Sequence, residues 1–345
     1  MSRYLVKVQQ GCSVMNGDVQ LPYSKSICNR VLAVDVLRHV VDGCVEKEWC
    51  TRLAQGIGVI RPQSEYICDD TQAMLDWLQQ AHELKEGSVI DVGAAGTAMR
   101  FSAALLTMLR GEFVLTGSAR MKERPIGVLV DALRKLGADI DYVECEGFPP
   151  LRIKGYAVDE VGVQRMQGGS VCLPGHVSSQ YVSALLMLGP MLPKGLQLTL
   201  TGEVVSRPYI DMTLHVMGQA GAQVGWTDDH TIEVKPILYN PMLDATIEND
   251  WSAASYWYET LALDGRIGSE MQLHNLWKDS SQGDAAVQEI FAHLGVETAH
   301  RLDEQHTVVL KATGRVCSRL DWDFVKTPDL KLRSEERRVG KECRS

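Results

Sequence analysis

An internal repeat constrains this sequence more than any other feature. Phe113 to Gly155 reads as an apolar strand ending Leu115-Thr116-Gly117, a loop with Arg124-Pro125, an amphipathic helix, Gly137-Ala138 and two short strands. Leu196 to Pro236 runs in the same order: Leu200-Thr201-Gly202, Arg207-Pro208, a helix, Gly221-Ala222 and two short strands. Thr201 follows Thr116 by 85 residues, Arg207 follows Arg124 by 83, and Gly221 follows Gly137 by 84. Such even spacing across unlike residues marks a duplicated strand–helix–strand–strand unit. A weaker copy runs from Met271 through a helix near Ala285–Leu294, Gly295 and the strand Thr307–Lys311. Units that each carry one apolar helix face must pack those faces together, which predicts a helix-lined interior.

The segments between the repeats supply further elements. Tyr4–Val8 reads as a strand, and a helix is expected from Ser24–Ser26 to about Leu37, with Ile27, Val31, Val34 and Leu37 on one side. Asp69 or Asp70 is placed to cap a helix carrying Met74, Leu75 and Leu78. Val89–Val92 forms a strand that turns through Gly93–Gly96 into a helix from about Thr97 to Leu109. Another helix opens at Ser178-Ser179-Gln180 and turns Val182, Leu185 and Leu186 inward.

Composition bounds the function classes. The chain of 345 residues, 45% hydrophobic and 23% charged, is long enough for two domains with sizeable cores. No apolar run is long enough to span a bilayer, and the N-terminus lacks the pattern of a signal peptide. Nine scattered cysteines without a C-x-x-C pair point to reduced thiols in a cytoplasm, and no histidine falls in a metal-ligand spacing. A net charge of −9 argues against nucleic acid as the partner but permits a small anion in a locally basic pocket.

The chemistry is concentrated at helix starts. Lys25-Ser26, Gly96-Thr97, Arg124-Pro125, Ser178-Ser179-Gln180 and Ser206–Tyr209 each fall at or just before one. A helix N-terminus presents unpaired N–H groups and a positive dipole end, and adjacent Lys, Arg or Ser adds charge-assisted hydrogen bonds to a phosphate or carboxylate. Proline in a first helical turn costs no hydrogen bond, which accounts for Arg-Pro ahead of two of the helices. Each residue alone also has a plainer reading: Ser24 or Ser26, Thr97 and Ser178 as helix caps, and Gly93 and Gly96 as turn formers. Arg100 reads as a structural ion pair, and His176 as a surface histidine. Five such starts in one chain nevertheless suggest a substrate with several anionic groups, or two anionic substrates.

Six segments resemble a known family, the 3-phosphoshikimate 1-carboxyvinyltransferases. They are Pro22–Arg30, Gly93–Arg100, Arg120–Ile126, Ser178–Leu186, Ser206–Thr213 and Glu248–Tyr256, in family order over residues 1–332. The aromatic-rich stretch Asp250–Glu259 is most similar to the Bacteroidetes branch. The resemblance implies an α/β, two-domain enolpyruvyl transferase fold, an inside-out α/β barrel in which each domain is built from pseudo-threefold strand–helix repeats. Residues 1–22 and 244–332 would form a discontinuous first domain lacking its last repeat, and 23–243 a complete second one. The sister transferase acting on UDP-N-acetylglucosamine is disfavoured, because Arg120–Ile126 and Ser206–Thr213 fit the shikimate branch.

The resemblance also implies a reaction: the carboxyvinyl group of phosphoenolpyruvate is transferred to the 5-hydroxyl of shikimate 3-phosphate, and phosphate is released. No metal or organic cofactor is implied, and a monomer is expected. By resemblance Lys25 lies between both substrates. Ser26 and Arg30 hold the shikimate carboxylate side, Ser178, Ser179 and Ser206 its phosphate, and Tyr209 lies against its ring. Gln180 contacts both ligands. Gly96 and Arg124 bind phosphoenolpyruvate, and Asp329 hydrogen-bonds the attacking hydroxyl and serves in proton transfer. Tyr23 and Ala94 depart from the family pattern, which has a small residue and an asparagine there. Residues 333–345 resemble translated read-through of a sequencing adapter, and the family residues expected after Leu332 have no counterpart in the chain. On that reading the chain is inactive, or is a non-catalytic protein that still binds shikimate 3-phosphate.

Overall fold

The computed structural model describes residues 14–55, 66–156, 166–240, 247–301, 306–324, 327 and 330. The strand expected at Tyr4–Val8, the residue Asp329 and the tail 333–345 lie outside them. The chain divides into two compact units, one formed by Met1–Ser24 with Glu248–Ser345 and the other by Lys25–Ile247.

In chain order the elements begin with β1 (Asn16–Val19), α1 (Lys25–Arg38), β2 (Val40–Val41), β3 (Cys44–Val45), α2 (Lys47–Ala54) and α3 (Asp69–Leu78). There follow β4 (Ser88–Asp91), α4 (Gly96–Leu105), β5 (Gly111–Thr116), α5 (Ala119–Lys122), α6 (Gly127–Lys135), β6 (Asp139–Tyr142) and β7 (Leu151–Gly155). The same order returns as β8 (Gly169–Pro174), α7 (Ser179–Leu188), β9 (Leu196–Thr201), α8 (Arg207–Gln219), β10 (Val224–Trp226) and β11 (Thr231–Val234). The last elements are α9 (Trp251–Asp264), β12 (Glu270–Leu273), α10 (Val287–His293), β13 (Val296–His300) and β14 (Val308–Ala312).

The repeat seen in the sequence is a repeat in space. Three four-stranded sheets have the orders β4-β5-β7-β6, β8-β9-β11-β10 and β1-β12-β14-β13. In each the first pair is parallel and the other two are antiparallel. The helix after the second strand ends in each copy at a glycine with positive φ: Gly137 at 107°, Gly221 at 85° and Gly295 at 92°. Only glycine adopts such a conformation without strain, so this residue stops the helix and turns the chain into the third strand. A fourth, two-stranded sheet pairs β2 with β3. Among the described residues the Lys25–Ile247 unit thus holds two full copies beside α1 to α3, and the other unit holds one.

In the Lys25–Ile247 unit the helices form the interior. Every residue of α4 is buried, as are eight of the ten in α7 and ten of the fourteen in α1. Helices α4 and α7, buried nearly all round, find partners on every side, and α1, α4, α7 and α8 pack as one group. Strands alternate instead: Leu151, Ile153 and Gly155 of β7 face in, whereas Arg152 and Lys154 face out. Each fully buried Leu or Phe, such as Leu32, Phe101 and Phe113, contributes roughly 1.5–3 kcal/mol.

Three local expectations are corrected. Helix α3 is capped by neither Asp69 nor Asp70; Cys68 is the N-cap, and both aspartates lie in the first turn. The helix expected to run from Thr97 to Leu109 ends at Leu105 and tightens into a 3-10 turn over Leu106–Met108. Pro208 does sit in the first turn of α8, but Pro125 precedes Ile126, the N-cap of α6, and so stands outside that helix. The extra turn α5, capped by Ser118, accounts for the difference.

Candidate active site

Strands β4, β5, β8 and β9 each run into the loop before a helix, and within each sheet the two are parallel. The loops therefore lie at the C-terminal ends of the strands, where open α/β sheets bind ligands. The β9–α8 loop is tied to the β8–α7 loop by Val205 N–H donating to the Gly175 carbonyl at 3.1 Å.

Gly96 and Arg124 are in direct apposition. A side-chain carbon built on Gly96 would lie 2.6 Å from Nη1 and 2.7 Å from Nη2 of Arg124. The guanidinium thus turns its Nη1–Nη2 edge toward the first residue of α4. Its neighbour Thr97 ties two helix starts together: the Gln180 side-chain amide donates to Thr97 Oγ1 at 3.1 Å, linking α7 to α4. The Thr97 N–H donates to Asp70 of α3 at 3.0 Å. Gly96, Arg124, Thr97 and Gln180 therefore form one cluster. Asp70 was not predicted as part of it, because it stands 27 residues from the helix it serves.

Arg30 joins the other helix starts. It is 2% exposed and donates to Thr213 Oγ1 (2.7 Å), the Ser26 carbonyl (2.8 Å), Ser183 Oγ (3.0 Å) and the Tyr209 carbonyl (3.1 Å). These bonds fasten the first turns of α1 and α8 to α7. Every partner is neutral, and burial lowers the Arg30 pKa to about 10, with the nearby Tyr209 opposing that shift. The guanidinium also lies 5.7 Å from the ring centre of Phe101. A buried cation surrounded by neutral oxygens favours an incoming anion, and one of the five Arg30 N–H groups is left for it. Ser183 and Thr213 carry no charge or motif glycine of their own; their only signal was the four-residue spacing that sets them one turn above Ser179 and Tyr209.

The serines divide between capping and availability. Ser178 is the N-cap of α7 and accepts from the Gln180 N–H at 3.3 Å, while Ser179 begins the helix. Ser206 caps α8 with a left-handed backbone, φ 60°, and makes no side-chain capping bond. A non-glycine residue in that conformation stores strain of roughly 1–3 kcal/mol, a feature that clusters at ligand sites. Ser24, in the other unit, is buried and its hydroxyl donates to Gln282. Lys25 is exposed at the first position of α1, and neither it nor Arg124 has an ion-pair partner among the described residues. Ala94 is exposed in the turn before α4, and Tyr23 forms a backbone bridge with Asn249.

Arg100 forms no ion pair among the described residues, contrary to expectation. It is 4% exposed and donates to the Gly96 carbonyl at 3.2 Å and the Pro125 carbonyl at 3.1 Å. At that depth it meets backbone carbonyls, one in the first turn of its own helix and one at Pro125, rather than a carboxylate. Burial lowers its pKa; Tyr181 opposes that shift and Arg124 adds to it. His176 is exposed, as expected of a surface residue. Among the described residues no group of three His, Cys, Asp or Glu is placed to hold a metal ion, and no helix is long and apolar enough to cross a membrane.

Comparison with known proteins agrees with this arrangement. The profile of the family described as EPSP synthase (3-phosphoshikimate 1-carboxyvinyltransferase) matches residues 9–329. A 3-phosphoshikimate 1-carboxyvinyltransferase of Bacteroides fragilis is 45% identical over 328 residues, covering 95% of this chain and 70% of the relative. That of Photobacterium damsela subsp. piscicida is 35% identical over 325 residues, covering 93% of this chain and 72% of its own length. A solved EPSP synthase from Acinetobacter baumannii superposes with a TM-score of 0.65 at 18% identity, covering 93% of this chain and 70% of that one, a likeness of fold. With the repeat, the helix-start cluster and these matches in agreement, the chain belongs to the EPSP synthase family of carboxyvinyl transferases.

Proposed function

We propose that this chain handles phosphoenolpyruvate and shikimate 3-phosphate as a 3-phosphoshikimate 1-carboxyvinyltransferase of aromatic amino acid biosynthesis. The observation that carries this reading is the Arg124 guanidinium lying over Gly96 at the start of α4, a cation and a helix dipole aimed at one place. In this reading Gly96, Arg124 and Gln180 take phosphoenolpyruvate. Ser178, Ser179 and Ser206 take the phosphate of shikimate 3-phosphate, Ser26 and Arg30 its carboxylate side, and Tyr209 its ring. Lys25 stands between the two.

The reaction balances without a redox partner. The 5-hydroxyl oxygen of shikimate 3-phosphate bonds to C2 of phosphoenolpyruvate while a proton adds at C3. The C2–O bond to phosphate then breaks as a C3 proton leaves, which restores the double bond and frees inorganic phosphate. Asp329 is the proposed acceptor of the hydroxyl proton, a role that suits a carboxylate. The two units correspond to the family's two domains, and the protein is a cytoplasmic monomer.

Calorimetric titration tests the reading. Ser178→Ala and Arg30→Ala are expected to weaken shikimate 3-phosphate at least about twofold, since each removes a hydrogen bond worth roughly 0.5–3 kcal/mol. Arg124→Ala should abolish phosphoenolpyruvate binding to the chain saturated with shikimate 3-phosphate. Unchanged affinities in all three variants would overturn the assignment.

A further inference from the structure

The carbonyl of Pro125 is gripped from two sides. Arg100 of α4 donates to it through Nη2 at 3.1 Å, and the hydroxyl of Tyr181 in α7 donates at 2.6 Å. Arg100 also holds the Gly96 carbonyl through Nη1 at 3.2 Å, and its guanidinium stands 5.9 Å from the ring centre of Tyr181. The grip continues along the chain, because the next residue, Ile126, donates its N–H to the Gly147 carbonyl at 2.8 Å. Arg124, immediately before the gripped carbonyl, makes no side-chain hydrogen bond to another described residue and lies over Gly96.

We propose that Tyr181 and Arg100 are positioning residues that fix Arg124 over the first turn of α4, and so set the affinity of the site for a phosphorylated, carboxylate-bearing anion. This rests on the assignment of Arg124 to phosphoenolpyruvate. Arg124 has no side-chain hydrogen bond among the described residues, so its placement depends on its backbone: its N–H donates to the Met121 carbonyl at 3.0 Å, and the grip on Pro125 fixes the following peptide. Pro125 fixes its own φ and has no N–H, so its carbonyl is the only hydrogen-bonding handle it offers. Arg100 supplies more than a donor: it sets a second cation near Arg124, which an incoming anion would meet as well. Neither residue need touch the ligand.

The test is a set of variants in the full chain, titrated with phosphoenolpyruvate in saturating shikimate 3-phosphate and separately with shikimate 3-phosphate alone. Tyr181→Phe keeps the ring and removes only the hydroxyl. Arg100→Lys keeps the charge, but a single ammonium cannot hold the Gly96 and Pro125 carbonyls in the fork geometry of a guanidinium. Both are expected to weaken phosphoenolpyruvate about three- to tenfold, as loss of one net hydrogen bond implies, while shikimate 3-phosphate affinity stays within about twofold. Equal weakening of both ligands would show a merely structural role and overturn the proposal. So would unchanged phosphoenolpyruvate affinity in Tyr181→Phe alongside its loss in Arg124→Ala. If Arg124→Ala changes nothing, or the parent chain shows no saturable phosphoenolpyruvate signal, the assignment of Arg124 itself fails and the proposal with it.

Discussion

A single missing carbon atom decides the geometry of the proposed phosphoenolpyruvate site. Gly96 has no side chain, and the place one would fill is taken by the guanidinium of Arg124. A methyl group there would meet Nη1 at 2.6 Å, closer than side-chain carbons sit in real proteins. The far end of an arginine can move, so Gly96→Ala is expected to fold normally and to push Arg124 off its seat. Its measurable result is a loss of phosphoenolpyruvate affinity of about tenfold or more, with shikimate 3-phosphate binding kept, since misplacement by about an ångström is enough for such losses. Arg30 shows the opposite economy: it is buried and hydrogen-bonded to Thr213, Ser26, Ser183 and Tyr209 before any ligand arrives.

Among the elements, the capping of α4 by a residue of another helix has a direct consequence. Asp70, in the first turn of α3, accepts the Thr97 N–H and supplies negative charge to the positive end of α4. Asp70→Ala is expected to cost about 1 kcal/mol of stability, measured by urea unfolding, because it leaves that N–H without its partner. An unchanged midpoint would show the contact to be incidental. The repeat itself was legible in the sequence, because turns advertise themselves: Gly137, Gly221 and Gly295 end three equivalent helices at positive φ. Arg124, Gly96 and Gln180 were legible too, since helix starts with basic or amide side chains stand out in a linear reading. What stayed hidden were side chains whose partners lie far along the chain. Asp70 looked like a cap for its own helix, and Arg100 looked like half of an ion pair. Tyr181 had no role assigned beyond its place in the Ser178–Leu186 segment. Only the packing of α4, α7 and the Arg124 loop gives each its role.

At the scale of the whole molecule, pH should act through Glu248 in the unit that contains β1 and β12. It is 3% exposed, and burial raises its pKa above the ordinary 4.5, opposed by hydrogen bonds from Ser280, Gln282 and Trp277. A raised carboxyl pKa in the folded state contributes stability that is fully present below about 4.5 and is lost as pH rises through the folded value. Unfolding measured from pH 4.5 upward should therefore show a decline in stability that Glu248→Gln flattens; parallel profiles would refute this. The three sheets carry a longer history. The loop after the second strand exists in three descendants: one bears Arg124, one bears Ser206, and the third runs from Asn275 to Gln282. In that third loop Gln282 accepts from Ser24 and from the Trp251 N–H and donates to the Asn249 carbonyl, while Ser280 holds Glu248. Duplication thus gave one ancestral loop three heirs. Under the proposed assignment two of them handle anions, while the third fastens Ser24 to Asn249 and Trp251.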